Sequence, residues 1–286
     1  MSRPEPLLAS LQNPAVKEVV RLRQRSHRDD SGQLIVEGYR ELKRAIDNRI
    51  PILRLFYCPA LYQGKNEPTL VDRCRAQGVP VLECTEPVFM KIAYRDRPEG
   101  LLALCPQIHR TLADLTLPEN PFLVIGEHIE KPGNLGTMLR TADAAGVDAL
   151  VVCDRCTDIN NPNVVRASIG TLFTVPVAEA STAETMEWLR AHHIATLAAS
   201  PHADRFYTEV DLTGPIAIIV GSEQFGLSDS WMQNADHLVR IPMLGQADSL
   251  NVAAAATILL YEVVRQRRRP VPPPPPDDHI RPPTPR

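Results

Sequence analysis

The sequence predicts an α/β protein built as two units. Short apolar runs of strand length alternate with stretches of helical apolar spacing along most of the chain. A proline-marked stretch, Pro106 to Pro121, interrupts that alternation once. No apolar run approaches the roughly 18 to 20 residues needed to span a bilayer. At 286 residues the chain has room for two modest domains.

Asn13 as N-cap and Pro14 at the first helical position open a helix whose apolar stripe is Val16, Val19, Val20 and Leu22. The polar, basic stretch Arg25 to Gln33 reads as a loop. Leu34 to Val36 follows as a strand and Gly38 to Asn48 as a helix. Strands at Ile52 to Cys58, Val79 to Cys84 and Gly100 to Cys105 alternate with helices near Leu70 to Gln77 and Glu86 to Ala93, which predicts a largely parallel sheet. The first domain is placed at 1–107 and a linker at 108–120.

The second domain, 121–268, begins with the strand Phe122 to Ile125. Further strands are expected at Ala149 to Cys153, Leu172 to Val177, Ile194 to Ala198, Ile216 to Val220 and His237 to Ile241. Helices are expected near Leu135 to Ala145, Ala183 to His192 and Ser228 to Asn234, with a long one from Leu250 to Arg267. From Pro270 onward the composition is proline-dominated and cannot bury a core, so 269–286 reads as a disordered, polyproline-like tail.

Composition narrows the function classes. A net charge of −3 argues against a protein that grips nucleic acid over its whole surface. The basic residues cluster, with Lys17, Arg21, Arg23, Arg25 and Arg28 in the first segment and Arg265, Arg267, Arg268 and Arg269 at the end of the last helix. Such clusters either meet phosphate or form solvated helix faces, and charge alone leaves both open. Met1 to Asn13 has no signal-peptide pattern, so a cytoplasmic protein is expected. Cys153 and Cys156 are the one cysteine pair with metal or redox spacing. No second pair of ligands accompanies them, so free thiols and no metal are expected.

Common cofactor signatures are missing. There is no Gly-x-Gly-x-x-Gly after a strand, no P-loop and no Gly-x-Ser-x-Gly elbow, which weakens the nicotinamide, NTPase and hydrolase readings. Three unusual segments remain, all in the second domain. Pro132-Gly133-Asn134-Leu135-Gly136-Thr137-Met138-Leu139-Arg140-Thr141 follows a strand, and glycines at a helix start admit close approach of a ligand or backbone. Gly136 lies one turn before Arg140 and is expected to leave open space where that guanidinium projects. Ile218 to Ser228 runs from a buried strand into a glycine-bracketed loop that holds Glu223. Ile241-Pro242-Met243 leads to Ser249-Leu250-Asn251 and four alanines, with Ser249 placed as N-cap of the last helix.

Together, in this order and spacing, the three segments resemble the three motifs of the SpoU class of the SPOUT methyltransferase superfamily, also called the TrmH family. The resemblance covers about half the chain, Phe122 to Arg267. It implies an α/β domain whose C-terminal part is tied into a deep trefoil knot, an exception to the usual unknotted path. It also implies S-adenosylmethionine as cofactor, held by backbone groups around Leu197, Gly221, Ile241 and Leu250, and a homodimer whose two subunits both line the site. Carried over by motif position, Asn134, Arg140, Glu223, Ser249 and Asn251 form the active-site set. The implied reaction is transfer of a methyl group to a ribose 2′-hydroxyl of RNA. Arg140 corresponds to the family's activator of that hydroxyl. Arginine is a poor base, so fixing a phosphate and stabilising the forming alkoxide is the other role open to it. Arg166 resembles a second family arginine that grips RNA phosphate. Lys131 departs from the pattern, standing where many relatives carry an acid, and Ala253 stands where a serine is frequent.

The first domain resembles, less specifically, the ribosomal-protein-like substrate-binding domain of rRNA members of the family, in Asn13-Pro14 with its basic helix and in Leu34-Ile35-Val36-Glu37-Gly38. By that resemblance Arg21, Arg23, Arg25 and Arg28 meet RNA phosphates and contribute affinity rather than sequence choice. The extra domain favours rRNA, most of all 23S rRNA, as substrate. A tRNA methyltransferase and a non-catalytic RNA-binding assembly factor are the alternatives.

Overall fold

A computed structural model of the chain describes residues 7–155 and 157–267. They form two compact units, one ending at Gln107 and the other beginning at Ile108.

The first unit opens with α1 (Pro14–Arg21), capped as expected by Asn13, whose Oδ1 accepts from the Ala15 amide at 2.9 Å. Val16, Val19 and Leu22 bury its apolar stripe. Where the polar composition reads as a loop, a second helix, α2 (Arg25–Ser31), forms instead. Arg28 explains the difference. It is only 1% exposed, and its Nη1 donates to the carbonyls of Leu22 at 2.9 Å and Arg23 at 3.0 Å. An arginine, rather than an apolar face, anchors this helix to the end of α1, so hydrophobic periodicity carries no trace of it.

The unit continues with β1 (Gln33–Glu37), α3 (Tyr39–Asp47), β2 (Arg54–Tyr57), α4 (Glu67–Ala76), β3 (Val81–Glu83), α5 (Glu86–Ile92) and β4 (Leu101–Pro106). The four strands lie in the order β1-β4-β2-β3. β4 runs antiparallel to both its neighbours, and only β2 and β3 pair parallel. The expected largely parallel sheet is therefore corrected to a mostly antiparallel one. Alternation of strand and helix patterns shows that a helix intervenes between strands, but not the direction in which the chain re-enters the sheet. Glu37, at the end of β1, is buried and accepts from the amides of Tyr94 at 2.7 Å and Arg95 at 3.2 Å; burial pushes its pKa up to about 6.

The second unit comprises β5 (Phe122–Glu127), α6 (Pro132–Ala145), β6 (Ala149–Cys153), α7 (Pro162–Ala167), β7 (Val177–Ala180), α8 (Thr182–Ala191), β8 (Ala195–Ala199), β9 (Arg205–Phe206), β10 (Ile216–Val220), α9 (Asp229–Asn234), β11 (His237–Arg240) and α10 (Val252–Arg267). Its seven strands lie in the order β7-β6-β5-β10-β8-β11-β9 and every pair is parallel. β5, β6 and β10 are buried along their whole length, as apolar strands covered on both faces should be. The strand expected at Leu172 to Val177 is a 3₁₀ turn, Thr171–Phe173, and pairing begins only at Val177. The Thr171 hydroxyl donates to the Ser168 carbonyl at 2.9 Å and that of Thr174 to Thr171 at 3.0 Å. These local bonds compete with the ladder that β-branching favours.

The segment expected as a linker, 108–120, is packed onto this unit. The Asn160 side chain binds both the amide and the carbonyl of Ile108, and Leu112, Leu115 and Leu117 lie against the core. At the other end Arg267 donates to the carbonyls of Asn120, Pro121, Leu212 and Gly214 and stacks 5.3 Å over the Phe122 ring. Arg265 pairs with Glu262 at 2.7 Å. Arg267 thus ties α10 to the strand entries, whereas the Arg265 pair lies within α10 itself. Arg268, Arg269 and the proline-rich stretch lie outside the described residues. Among the described residues no helix is long and apolar enough to cross a membrane.

Replacing Arg28 by Met removes two hydrogen bonds to backbone carbonyls, one of them buried. The expected cost is about 2–3 kcal/mol of stability, read from urea unfolding. Arg21→Met, at an exposed position, is expected to shift stability by less than about 0.5 kcal/mol. Equal midpoints for the two variants would contradict the structural role of Arg28.

Candidate active site

In a parallel sheet the carboxyl ends of the strands share one edge, and ligands of open α/β sheets bind there. The loops leaving β5, β8, β10 and β11 carry all three motif segments.

The loop after β10 folds back on itself. Ser222 and Gly226 exchange backbone hydrogen bonds of 3.0 Å, and the Phe225 amide donates to the Ser222 hydroxyl at 3.0 Å. A Cβ on Gly221 would lie 2.2 Å from the Gly226 carbonyl oxygen, so no larger residue fits there without opening the loop. Ser228, which closes the loop, gives both its amide and its hydroxyl to Glu127, each at 2.7 Å. The Thr182 hydroxyl reaches the same carboxylate at 2.8 Å. Glu127 is wholly buried, and it binds the starts of α8 and α9 to the end of β5. Motif reasoning did not single it out. Its one signal is a charge closing an otherwise apolar strand.

Gly136 serves packing. A Cβ there would stand 2.5 Å from the Ala167 side chain, so α7 lies directly against α6. This corrects the expectation that Gly136 leaves room for the guanidinium of Arg140. Arg140 and Arg166 are both exposed, on α6 and α7.

The site itself is a cluster drawn from three distant segments. The Asn251 Nδ2 donates to Asn134 Oδ1 at 3.1 Å and to Glu223 Oε1 at 2.5 Å. Lys131 Nζ binds the other carboxylate oxygen, Oε2. Asn251 Oδ1 accepts from the Ala253 amide at 3.1 Å, so Asn251, not Ser249, caps α10. Ser249 is exposed beside the cleft. The hydrogen bond from Lys131 above all, with those from Asn134 and Asn251, holds the Glu223 carboxyl below its ordinary pKa. Arg140 stands outside this cluster, six positions after Asn134 and so about 120° away around the helix.

Next to the cluster lies a cleft of ≈ 480 Å³. Gly221, Ile241 and Leu250 line it, as the sequence reading expected of cofactor contacts. Leu197 does not; it is buried within β8, and Ala199 and Ser200 at the strand's end take that position. Among the described residues no lysine or arginine lines the cleft, whereas Glu223 and Asp248 do.

The expected RNA contacts of the first unit divide. Arg21 is exposed, and Arg25 is exposed in an ion pair with Asp29 at 3.4 Å. Arg23 is exposed but donates to the carbonyls of Lys91 at 3.0 Å and Ala93 at 2.6 Å. Arg28 is buried and cannot reach a phosphate, which corrects its expected role. In the second unit Cys153 is buried, its thiol pushed up to about 12 by burial, and it contacts the Thr185 hydroxyl at 3.2 Å; Cys156 lies outside the described residues. Glu127, His128 and Asp154 bring ligand atoms within 4.8 Å of one another, but both carboxylates already accept protein hydrogen bonds.

Because the folded-state pKa of Glu223 lies below its ordinary 4.5, its interactions stabilise fully above that pH and are lost as pH falls through the lowered value. The melting-temperature gap between wild type and Glu223→Gln should be small, as for any largely exposed pair, hold from neutral pH down to about 4.5 and close below it. A gap independent of pH would contradict the ion pair.

Residues 121–261 match the SpoU rRNA Methylase family, and residues 13–103 match the MRM3-like substrate binding domain. A 23S rRNA (uridine-2′-O)-methyltransferase of Streptomyces viridochromogenes is 31% identical over 238 residues, spanning 81% of this chain and 82% of the relative. The crystal structure of an RNA 2′-O ribose methyltransferase superposes with a TM-score of 0.82 at 38% identity, covering 92% of this chain and 100% of the other. The AdoMet-bound rRNA methyltransferase of Sinorhizobium meliloti superposes with a TM-score of 0.83 at 34% identity, covering 91% of this chain and 97% of the other. With the three motifs gathered at one sheet edge and relatives aligned along nearly the full length, the chain belongs to the SpoU rRNA methylase family.

Proposed function

We propose that this protein methylates a ribose 2′-hydroxyl of 23S rRNA, with S-adenosylmethionine as methyl donor. The observation that carries the reading is the joining of Asn134, Glu223 and Asn251 beside the cleft. The residues fit that cofactor. The cleft has the volume of a small-molecule site, and its lining offers carboxylates and no lysine or arginine among the described residues, which suits a cationic ligand. Gly221, Ile241, Leu250, Ser249 and the chain following Leu197 would hold it.

S-adenosylmethionine supplies an already electrophilic methyl group, so the protein's work is alignment and handling of the hydroxyl proton. Glu223 fixes the amide of Asn251, and through it that of Asn134, so that their polar atoms meet the ribose in one orientation. Arg140 holds the flanking phosphate and stabilises the developing alkoxide at the 2′-oxygen, whose proton leaves to solvent as the methyl group passes from the sulfonium. Arg166, on the adjacent helix, grips a further phosphate.

The working unit in this reading is a cytoplasmic homodimer. Its support is that Asn134 and Arg140 lie on different faces of α6, so a second copy can bring an arginine to each cluster. Exposed Phe225, Leu244 and Tyr261 offer apolar surface for such a contact. We further read the path of the last segment as the family's deep trefoil knot, on the strength of the family match. Residues 1–107 act as the RNA reader, through Arg21, Arg25 and the outward part of Arg23, and residues 121–268 carry out transfer.

Purified protein is to be given tritiated S-adenosylmethionine with unmodified 23S rRNA, 16S rRNA or bulk tRNA. Label in alkali-resistant dinucleotides from 23S rRNA alone is expected. Arg140→Ala is expected to reduce it by about 10²-fold or more while cofactor binding survives. Label in tRNA alone would overturn the substrate, and near wild-type turnover of Arg140→Ala would overturn that residue's role. Neutralising Arg21 and Arg25 together is expected to weaken RNA binding and flatten its salt dependence, by roughly one to two contacts in the slope of log K against log salt. An unchanged slope would count against the first unit as the reader.

A further inference from the structure

We infer that Lys131 is a positioning residue for methyl transfer, holding Glu223 so that Asn251 and Asn134 keep a single orientation. The inference rests on the proposed placement of those three residues in the active site.

Lys131 is the N-cap of α6 and makes no side-chain cap hydrogen bond. That position favours a side chain that accepts from the free amides, such as Ser, Thr, Asp or Asn. A lysine has only donors to offer there. Its charge also sits at the positive end of the helix, and the first turn holds no acidic residue to offset it. Local helix stability therefore argues against lysine at 131. The explanation lies across the site, where Nζ meets Glu223 Oε2, 92 residues away in sequence.

The two oxygens of Glu223 are divided between partners. Oε2 takes the ammonium and Oε1 takes Asn251 Nδ2, which also binds Asn134. Without Lys131 the carboxylate would retain partners on one side only and could rotate. Lys131, Asn134 and Glu223 line one recess together with Ile129, Glu130, Ser222 and Val252, so movement of the Glu223 carboxylate is passed directly to the amides. The Lys131 and Glu223 side chains are 67% and 25% exposed, and such a pair contributes little to overall stability. A residue that violates its local preference without stabilising the fold marks a functional constraint.

The test compares full-length wild type with Lys131→Met, Lys131→Arg, Glu223→Gln and the double variant Lys131→Met/Glu223→Gln. Readouts are kcat and KM on 23S rRNA, S-adenosylmethionine affinity by calorimetry, and melting temperature. Lys131→Met is expected to lower kcat roughly fivefold, with melting temperature, cofactor affinity and RNA KM near wild type. Lys131→Arg should recover most of the loss. The double variant should be no worse than Glu223→Gln alone, because Lys131 acts through Glu223. Wild-type kcat in Lys131→Met beside an impaired Glu223→Gln overturns the inference and leaves the site assignment standing. Wild-type kcat in Glu223→Gln overturns both. Losses that multiply in the double variant, or a change confined to RNA KM, place the action of Lys131 elsewhere and also overturn it.

Discussion

The second unit is organised around one buried carboxylate. Glu127 closes β5, an interior strand of the sheet, with a carboxyl group that is wholly removed from solvent. Burying an ionised group costs several kcal/mol unless it is hydrogen-bonded throughout. Here the Ser228 amide and the hydroxyls of Ser228 and Thr182 supply those bonds. Both residues stand where a helix begins, the end whose free amides favour negative charge. The chain between Gly221 and Ser228 is thereby held at both ends, by β10 on one side and by this carboxylate on the other. Glu223 lies in the middle of that held segment. Its position follows from β5, a strand with which it shares no motif.

What the loop carries outward is electrostatic as much as steric. The close approach of Gly221 to Gly226 shapes the cleft wall from backbone, which leaves few side chains to set its charge. Those that do are acidic. The cations of these motifs lie outside the cleft lining: Lys131 pairs with Glu223, and Arg140 and Arg166 are exposed on two helices that pack at Gly136. Positive charge available to a polyanion is thus kept apart from the negative charge that faces a small cationic ligand. The proposed chemistry needs that separation, since its donor is cationic and its acceptor is a nucleic acid.

Arginines do unlike work along this chain, and their spacing in sequence does not tell them apart. Arg28 replaces a hydrophobic anchor, Arg23 reaches two carbonyls from an exposed position, and Arg267 ties two backbone segments to α10. A planar guanidinium with five donors suits carbonyl clusters as well as phosphates. A basic cluster in sequence is therefore a weaker sign of an RNA surface than the same number of exposed lysines would be. Of the first segment, Arg21 and Arg25 keep the clearest exposure.

Much of this protein was legible in its residues. Most of the second unit's elements follow from near-continuous apolar strands and helical stripes; the short α7 and β9 were not expected, and Leu172 to Val177 misleads because threonine hydroxyls turn the chain locally. Asn134, Glu223 and Asn251 were identifiable from motif order, and the structure joins them by hydrogen bonds. Sequence alone determined which side chains are present and which local segments are regular, since both depend on neighbours a few positions away. Tertiary structure alone decided the rest. It turned β4 antiparallel, buried Arg28, set Gly136 against Ala167, moved the α10 cap to Asn251, placed Ala199 rather than Leu197 at the cleft, and brought Lys131 to Glu223. The pairing of β4, the approach of Gly136 to Ala167 and the bond from Lys131 to Glu223 join residues far apart in the chain. Their partners are chosen by strand order and packing, and no local pattern encodes that choice.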